Sequence, residues 1–213
     1  MPDNVIRAVR YFADKEREPY MRMKPALFTG TLLIMTAFSA QAQSSASLKC
    51  APQRPTDNRP SPYDSLRISV GQNHAVLCFS RPSAGGRTMI GGAAVPYGKL
   101  WRTGANEPTI IHVGFPAVIA GVRVEPGSYS IYTVPCEEEW EVIINRSITQ
   151  WGIERQYTDQ VKAQEIGRGK ARSEKLSQHV EKLTFRAENV SNRGADLLLE
   201  WEKTAVRIPI RMM

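Results

Sequence analysis

The chain has 213 residues, 42% of them apolar, and a formal net charge of +7. That is ordinary globular composition. Without residues 1–42, 22 Lys/Arg face 17 Asp/Glu, a net +5. This surplus is modest and dispersed, and its densest stretch, residues 167–172, has no interleaved aromatics for base stacking, which argues against nucleic acid as a partner.

Arg22 and Lys24 precede an uncharged apolar run over residues 26–38, followed by Ser39-Ala40-Gln41-Ala42. Small residues at −3 and −1 of a cut after Ala42 complete the pattern of a secretory signal peptide. The run is shorter than the roughly 20 residues a bilayer crossing needs, so the mature chain is expected to have no transmembrane span. Residues 1–20 are charged and mixed, which suggests a true start at Met21 or Met23. Lys49 directly before Cys50 is wrong for lipid attachment. These features predict a periplasmic or secreted protein of residues 43–213, one domain by length. Disulfides persist in such a compartment. Cys50, Cys78 and Cys136 allow one bridge and three pairings, and an unbridged Cys78 buried as a small hydrophobe fits equally well.

Residues 43–62, rich in Ser, Pro, Gln and Asn, read as a flexible arm. From Tyr63 onward the pattern has period two: Leu66, Ile68 and Val70 alternate with Ser65, Arg67 and Ser69, and a second strand runs over residues 74–81 beyond a Gly71-Gln72-Asn73 turn. Val95-Pro96-Tyr97-Gly98 suits a type I turn. Thr109, Ile111, Val113 and Phe115 mark a core strand. Val118, Ala120, Val122 and Val124 alternate up to Glu125-Pro126-Gly127-Ser128, read as a type II turn returning through residues 129–134. Trp140, Val142 and Ile144 mark the next strand. A short helix over residues 159–164 is expected, with Thr158 as its N-cap. Strands follow at 165–172, around Leu183 and Phe185, and, after a turn at Asn192-Arg193-Gly194, around Leu197, Leu199 and Trp201. Glu200 and Glu202, flanking Trp201, read as the solvated side of that strand. Pro209 suggests that the last strand lies at a sheet edge. The whole predicts an all-β protein, an antiparallel β-sandwich or jelly-roll-like fold of about nine or ten strands with at most one short helix, residues 63–213 forming a single domain.

The stretch VPYGKLWRTGANEPT, residues 95–109, is chemically unusual for a loop. Together with RPSAGGR, the PGSYSIYTVP segment, EEWEVIINRS with QWG behind it, and the closing LLLEWEKTAVRIPI, it resembles the domain-of-unknown-function family 2911, in matching order from about residue 66 to 210. The resemblance implies an exported bacterial protein. No activity is established for similar proteins, so no catalytic residue carries over. The chain departs from similar sequences at Cys136, where Gly often follows the Pro.

Read from its residues, the loop has two meanings. As structure, Arg102 is buried and paired with Glu107, Asn106 bonds its own backbone, and Tyr97 and Trp101 plug the end of the sandwich. As a site, Arg81, Arg87 and Arg102 converge on a pocket for a small anionic ligand or an envelope component, with Tyr97 and Trp101 packing on its apolar part and Asn106 and Glu107 completing the lining. The expectation is a non-catalytic exported module. The alternative is an envelope hydrolase or lyase acting on a glycan or peptide fragment, with Glu107 as general base beside Arg102. The sequence leans away from an enzyme, because no nucleophile-base pair is visible. His74, His112 and His179 have no ligand spacing and no glycine fingerprint precedes a helix, so neither metal nor cofactor is expected.

Overall fold

The computed structural model describes residues 48–213. The readings of residues 1–42 as a signal peptide and of residues 43–47 as part of the arm lie outside them.

Alternation dictates the first ladder. Ile68 and Val70 are buried while Ser65, Arg67 and Ser69 are exposed, so β1 (Tyr63–Val70) turns one face inward. It pairs antiparallel with β2 (Asn73–Ser80) across a turn in which Gly71 takes φ 58°. Next to β2 lies β3 (Thr109–Val113), then β6 (Gly127–Val134) and β7 (Glu139–Asn145). Two long strands follow, β8 (Glu165–Glu188) and β9 (Gly194–Met212). Beyond β9 come the short strands β4 (Ala117–Ile119) and β5 (Val122–Val124). Among the described residues the hydrogen-bonded order is β1-β2-β3-β6-β7-β8-β9-β4-β5, nine strands in one antiparallel sheet.

The two layers expected of a sandwich are therefore continuous with one another. The sheet doubles over through β8 and β9, whose register shifts between Lys175 and Val180 and again before Thr184. Phe79 of β2 meets Phe185 of β8 edge-on, ring centroids 4.7 Å apart. The chain just beyond β2 pairs with β8 here: Leu183 N–H donates to Pro82 O at 3.0 Å and Ala84 N–H to Glu181 O at 2.9 Å. One buried apolar cluster draws residues from all nine strands, from Ile68 to Ile210. At its centre Trp101 stacks on Trp201 at 5.9 Å and meets the edge of Trp140 at 6.0 Å. Aromatic contacts of these geometries add to the stabilisation that burial alone supplies.

The alternate residues of β2 face the other way. Val76 and Cys78 join Ile110 in a smaller cluster, packed against Leu48, Cys50, Tyr63 and Ile148. Here Cys50 is bridged to Cys78, with Cα atoms 5.5 Å apart, which settles the pairing. Cys136 is free and exposed.

Several local expectations hold and several do not. Thr158 caps the four-residue helix α1 (Asp159–Lys162), its side chain accepting from the Val161 N–H. The strand signal at residues 165–172 is realised as the start of β8. The hairpin expected at Glu125-Pro126-Gly127-Ser128 does not form. Gly127 already belongs to β6, which pairs with β3 and β7, while β5 pairs with β4. The reversal lies earlier, at Ala120 (φ 48°) and Gly121 (φ 88°). Two successive positive φ values make a two-residue hairpin loop that matches strand twist. Val118 and Ala120 are apolar as well as Ile119 and Val122, so the change of inward phase, from Ala117 and Ile119 to Val122 and Val124, leaves no visible break in the pattern. The turn after Val95 is shifted by one residue: Lys99 N–H donates to Pro96 O at 3.4 Å and Gly98 takes φ 70°. That is the third position of a type II turn, where glycine is favoured.

Pro209 is not on an edge strand, because β9 lies between β8 and β4. It falls between Arg207, the last residue paired with β8, and Ile210, the first paired with β4, where no ladder donor is required. Glu200 is buried, held by Arg186 at 2.7 Å. Glu202 accepts the backbone N–H groups of Met89 and Ile90 at 3.1 and 2.8 Å. Both carboxylates are fastening groups and not a solvated face.

Replacing Cys50 and Cys78 together by alanine is expected to cost about 2–4 kcal/mol, the usual effect of losing a native bridge. Urea denaturation would register it as a lower midpoint, and an unchanged midpoint would contradict it.

Candidate functional site

The loop of residues 101–108 begins as a short bridge to β6. Trp101 and Thr133 exchange backbone hydrogen bonds of 2.8 and 2.9 Å. The chain then bends back, so that Thr109 N–H donates to Arg102 O at 3.1 Å. The bend places two residues other than glycine in the left-handed region, Thr103 at φ 59° and Asn106 at φ 60°. Asparagine tolerates this. For a β-branched residue it is a strained state that costs roughly 1–3 kcal/mol. Surrounding bonds hold Thr103 there. Its hydroxyl meets that of Thr133 at 3.1 Å, and its carbonyl accepts the Thr109 hydroxyl at 2.7 Å.

Glu107 is only 3% exposed. Its partner is Arg59, from the arm, and not Arg102. Arg59 Nη1 and Nη2 donate to the two carboxylate oxygens at 2.7 and 3.0 Å, and Gln53 N–H adds a third bond at 3.0 Å. Such a two-pronged, charge-assisted contact is among the stronger hydrogen bonds available to a carboxylate. Burial alone pushes the Glu107 carboxyl up. Arg59, with backbone donors, more than reverses this and holds it below its ordinary value. The neighbouring Tyr63 phenol is pushed up to about 12, by burial and then by the Glu107 charge, with Arg59 opposing.

A third segment closes the arrangement. Gly152 N–H donates to Asn106 O at 3.0 Å. A Cβ on Gly152 would stand 2.6 Å from that oxygen and 2.7 Å from both Arg102 Cδ and the Glu107 carbonyl carbon, so only glycine fits. Beside it Gln150 donates to the Tyr132 hydroxyl at 3.2 Å, and Gln53 donates to Ile148 O and Gln150 O at 3.1 and 3.0 Å. The Arg54 guanidinium lies 4.0 Å from the Trp151 ring centroid and that of Arg59 5.9 Å, both within reach of the ring's negative face.

The other expected site residues are spread out. Arg102 faces Glu154 at 3.5 Å, and its Nε is buried with no hydrogen-bond partner among the described residues. Arg81 is tied to Asp64 at 3.2 Å, Leu183 O at 3.0 Å and the Thr184 hydroxyl at 3.0 Å. Arg87 folds back on its own turn, donating to Ala84 O and Ser83 O at 2.9 and 3.2 Å. The three arginines therefore do not converge on one pocket: each is engaged with a different neighbour. Asn106 does not bond its own backbone. It donates to Ser61 O and the Ser80 hydroxyl, both at 3.2 Å. Trp101 is a core residue whose indole N–H donates to Gly104 O at 3.2 Å. Tyr97 is 43% exposed, its ring against Gly91.

Sequence reasoning missed Arg59, because nothing in its Pro-rich setting marks one arginine among many. It also missed a contact of 2.7 Å between His112 Nδ1 and the Ser128 hydroxyl, across β3 and β6. Burial pushes the His112 ring down, so it stays neutral near pH 7. An open cleft of about 490 Å³ lies at the β8–β9 turn, lined by Asn189, Ser191, Arg193, Gly194, Arg211 and Met212, and none of the loop residues reaches it. Among the described residues no group of three His, Cys, Asp or Glu side chains is placed to hold a metal, and no helix is long and apolar enough to cross a membrane.

The fold and this meeting of three segments define an all-β module organised around a buried arginine–carboxylate clasp. The chain belongs to the protein family of unknown function DUF2911, whose family model matches residues 61–210. No curated protein and no solved structure matches it.

Gly152→Ala is expected to destabilise the protein by at least about 2 kcal/mol, since the methyl group displaces backbone and overpacking costs about 1–3 kcal/mol even where side chains can adjust. Guanidinium chloride denaturation would measure this, and a wild-type midpoint would refute the close approach.

Proposed function

We propose that the protein is an exported, non-catalytic β-sandwich module whose conspicuous loop serves as a scaffold. The observation that carries this is the pairing of Glu107. A general base must accept a proton near working pH. Glu107 is buried, gripped by both prongs of Arg59 and held below its ordinary value, which favours a fixed charge over a proton shuttle. The Cys50–Cys78 bridge supports an oxidising compartment, and with it a periplasmic or secreted location.

One further observation favours a limited binding role. Arg102 retains a buried Nε without a partner among the described residues and holds Glu154 only at 3.5 Å, with about a quarter of its side chain exposed. Of Arg81, Arg87 and Arg102 it is the one whose guanidinium makes no hydrogen bond among the described residues, so a small carboxylate or phosphate is the ligand class it suits. Titration of the wild type with acetate or inorganic phosphate is expected to raise the melting temperature, and Arg102→Gln to abolish the rise. An equal rise in the variant would remove Arg102 as the contact.

Glu107→Gln tests the scaffold reading. Breaking a buried ion pair by removing one partner costs about 3–5 kcal/mol, so the variant is expected to unfold at much lower denaturant. The sign with pH follows from the lowered carboxyl. Its contribution is present in full above the unfolded value, ordinarily 4.5, and is lost as pH falls through the folded value. The stability gap between wild type and Glu107→Gln is therefore expected to be constant at neutral pH and to close below pH 4.5. A variant as stable as the wild type at pH 7 would defeat the scaffold reading.

A further inference from the structure

The clasp is also a recognition geometry. Glu107 offers two carboxylate oxygens spaced for the fork of a guanidinium, and Arg59 uses both, at 2.7 and 3.0 Å. Trp151 offers a ring face, over which Arg54 lies at 4.0 Å and Arg59 at 5.9 Å. Carboxylate and indole side by side select arginine over lysine, because only a planar cation can fork onto one and stack on the other. The groups that fill this receptor come from a segment with few other attachments. Residues 51–55, 57 and 58 are exposed. Apart from Arg54 and Arg59, the segment is fastened by Gln53, by the Cys50–Cys78 bridge at one end, and at the other by Asn106 donating to Ser61 O and Arg81 N–H donating to Pro62 O.

We propose that Glu107 and Trp151 form a binding site for an arginine side chain of a partner peptide, and that residues 51–59 are a tethered internal occupant of it. The disulfide keeps this occupant at high effective concentration, so an outside peptide competes only when it presents arginine in the same fork-and-stack geometry. The ligand class is thus cationic, opposite in sign to the anion that the loop's arginines suggest. The proposal rests on the reading of Glu107 as a fixed charge.

The test uses the full mature chain with Arg59→Ala, which empties the fork, and N-acetyl-arginine amide as probe. Saturable recovery of the melting temperature by several degrees is expected, with a change in Trp151 fluorescence that Trp151→Phe removes. N-acetyl-lysine amide is expected to give less than a third of the shift. Recovery must be absent in Arg59→Ala/Glu107→Gln. If Arg59→Ala does not fold, Arg59→Lys keeps a charge in place, and the arginine probe is expected to displace the ammonium with the same fluorescence change. No response in either variant, an equal response to the lysine probe, or an equal response in the double variant overturns the site. These outcomes differ from failure of the scaffold reading, which is judged without probe by the stability of Glu107→Gln.

Discussion

A carboxylate removed from water must be met by compensating charge and hydrogen bonds, or it will not stay ionised. Glu107 is that group here, and much of the surrounding chain is arranged to satisfy it. Arg59 and Gln53 converge on it, so residues 50–62 follow a fixed course across the outer face of β2 and β3. The disulfide pins one end of that course, and the joint between Arg81 and Pro62 the other. Glycine at 152 is required because the backbone carrying Glu107 must lie against another backbone.

The loop that presents Glu107 is strained, and its strain has a use. Thr103 and Asn106 both take left-handed backbone angles. Together these tight bends turn Trp101 inward, onto Trp140 and Trp201, while Asn106 and Glu107 face the arm. One short stretch thus joins the main core to the smaller cluster on the opposite face of the sheet. Hydrogen bonds with Thr109 and Thr133 over-determine Thr103, as strained residues require. Loop and core are expected to lose stability together for that reason.

The strand content, the antiparallel pairing, the helix cap at Thr158 and the turn at Arg193-Gly194 were legible because each rests on local chemistry: alternation, a hydroxyl before a helix, a glycine where the chain reverses. The hairpin at Ala120-Gly121 was not, because Val118 and Ala120 are as apolar as the inward Ile119 and Val122, so the change of phase across the loop does not show in the pattern. Pro209 misled because strand partners can change along one strand, and a residue at the change-over needs no donor. In the loop, the expectation that Glu107 is buried and held by an arginine was correct in kind and wrong in partner. Charge complementarity says that a cation must come, but nothing local says from where. Arg59 lies 48 positions away in a stretch without period, and a long-range ion pair leaves no mark in sequence spacing. The same limit hid the separation of Arg81, Arg87 and Arg102, three cations of one apparent cluster that the fold sends to three different acceptors.

The matched family region begins at residue 61. Arg59, Gln53 and Cys50 all stand upstream of it. A polypeptide trimmed to that boundary retains every strand, yet keeps Glu107 without its counter-ion and Cys78 without its bridge. The natural limit of this unit is electrostatic and covalent, some thirteen residues earlier than the periodicity of its strands suggests.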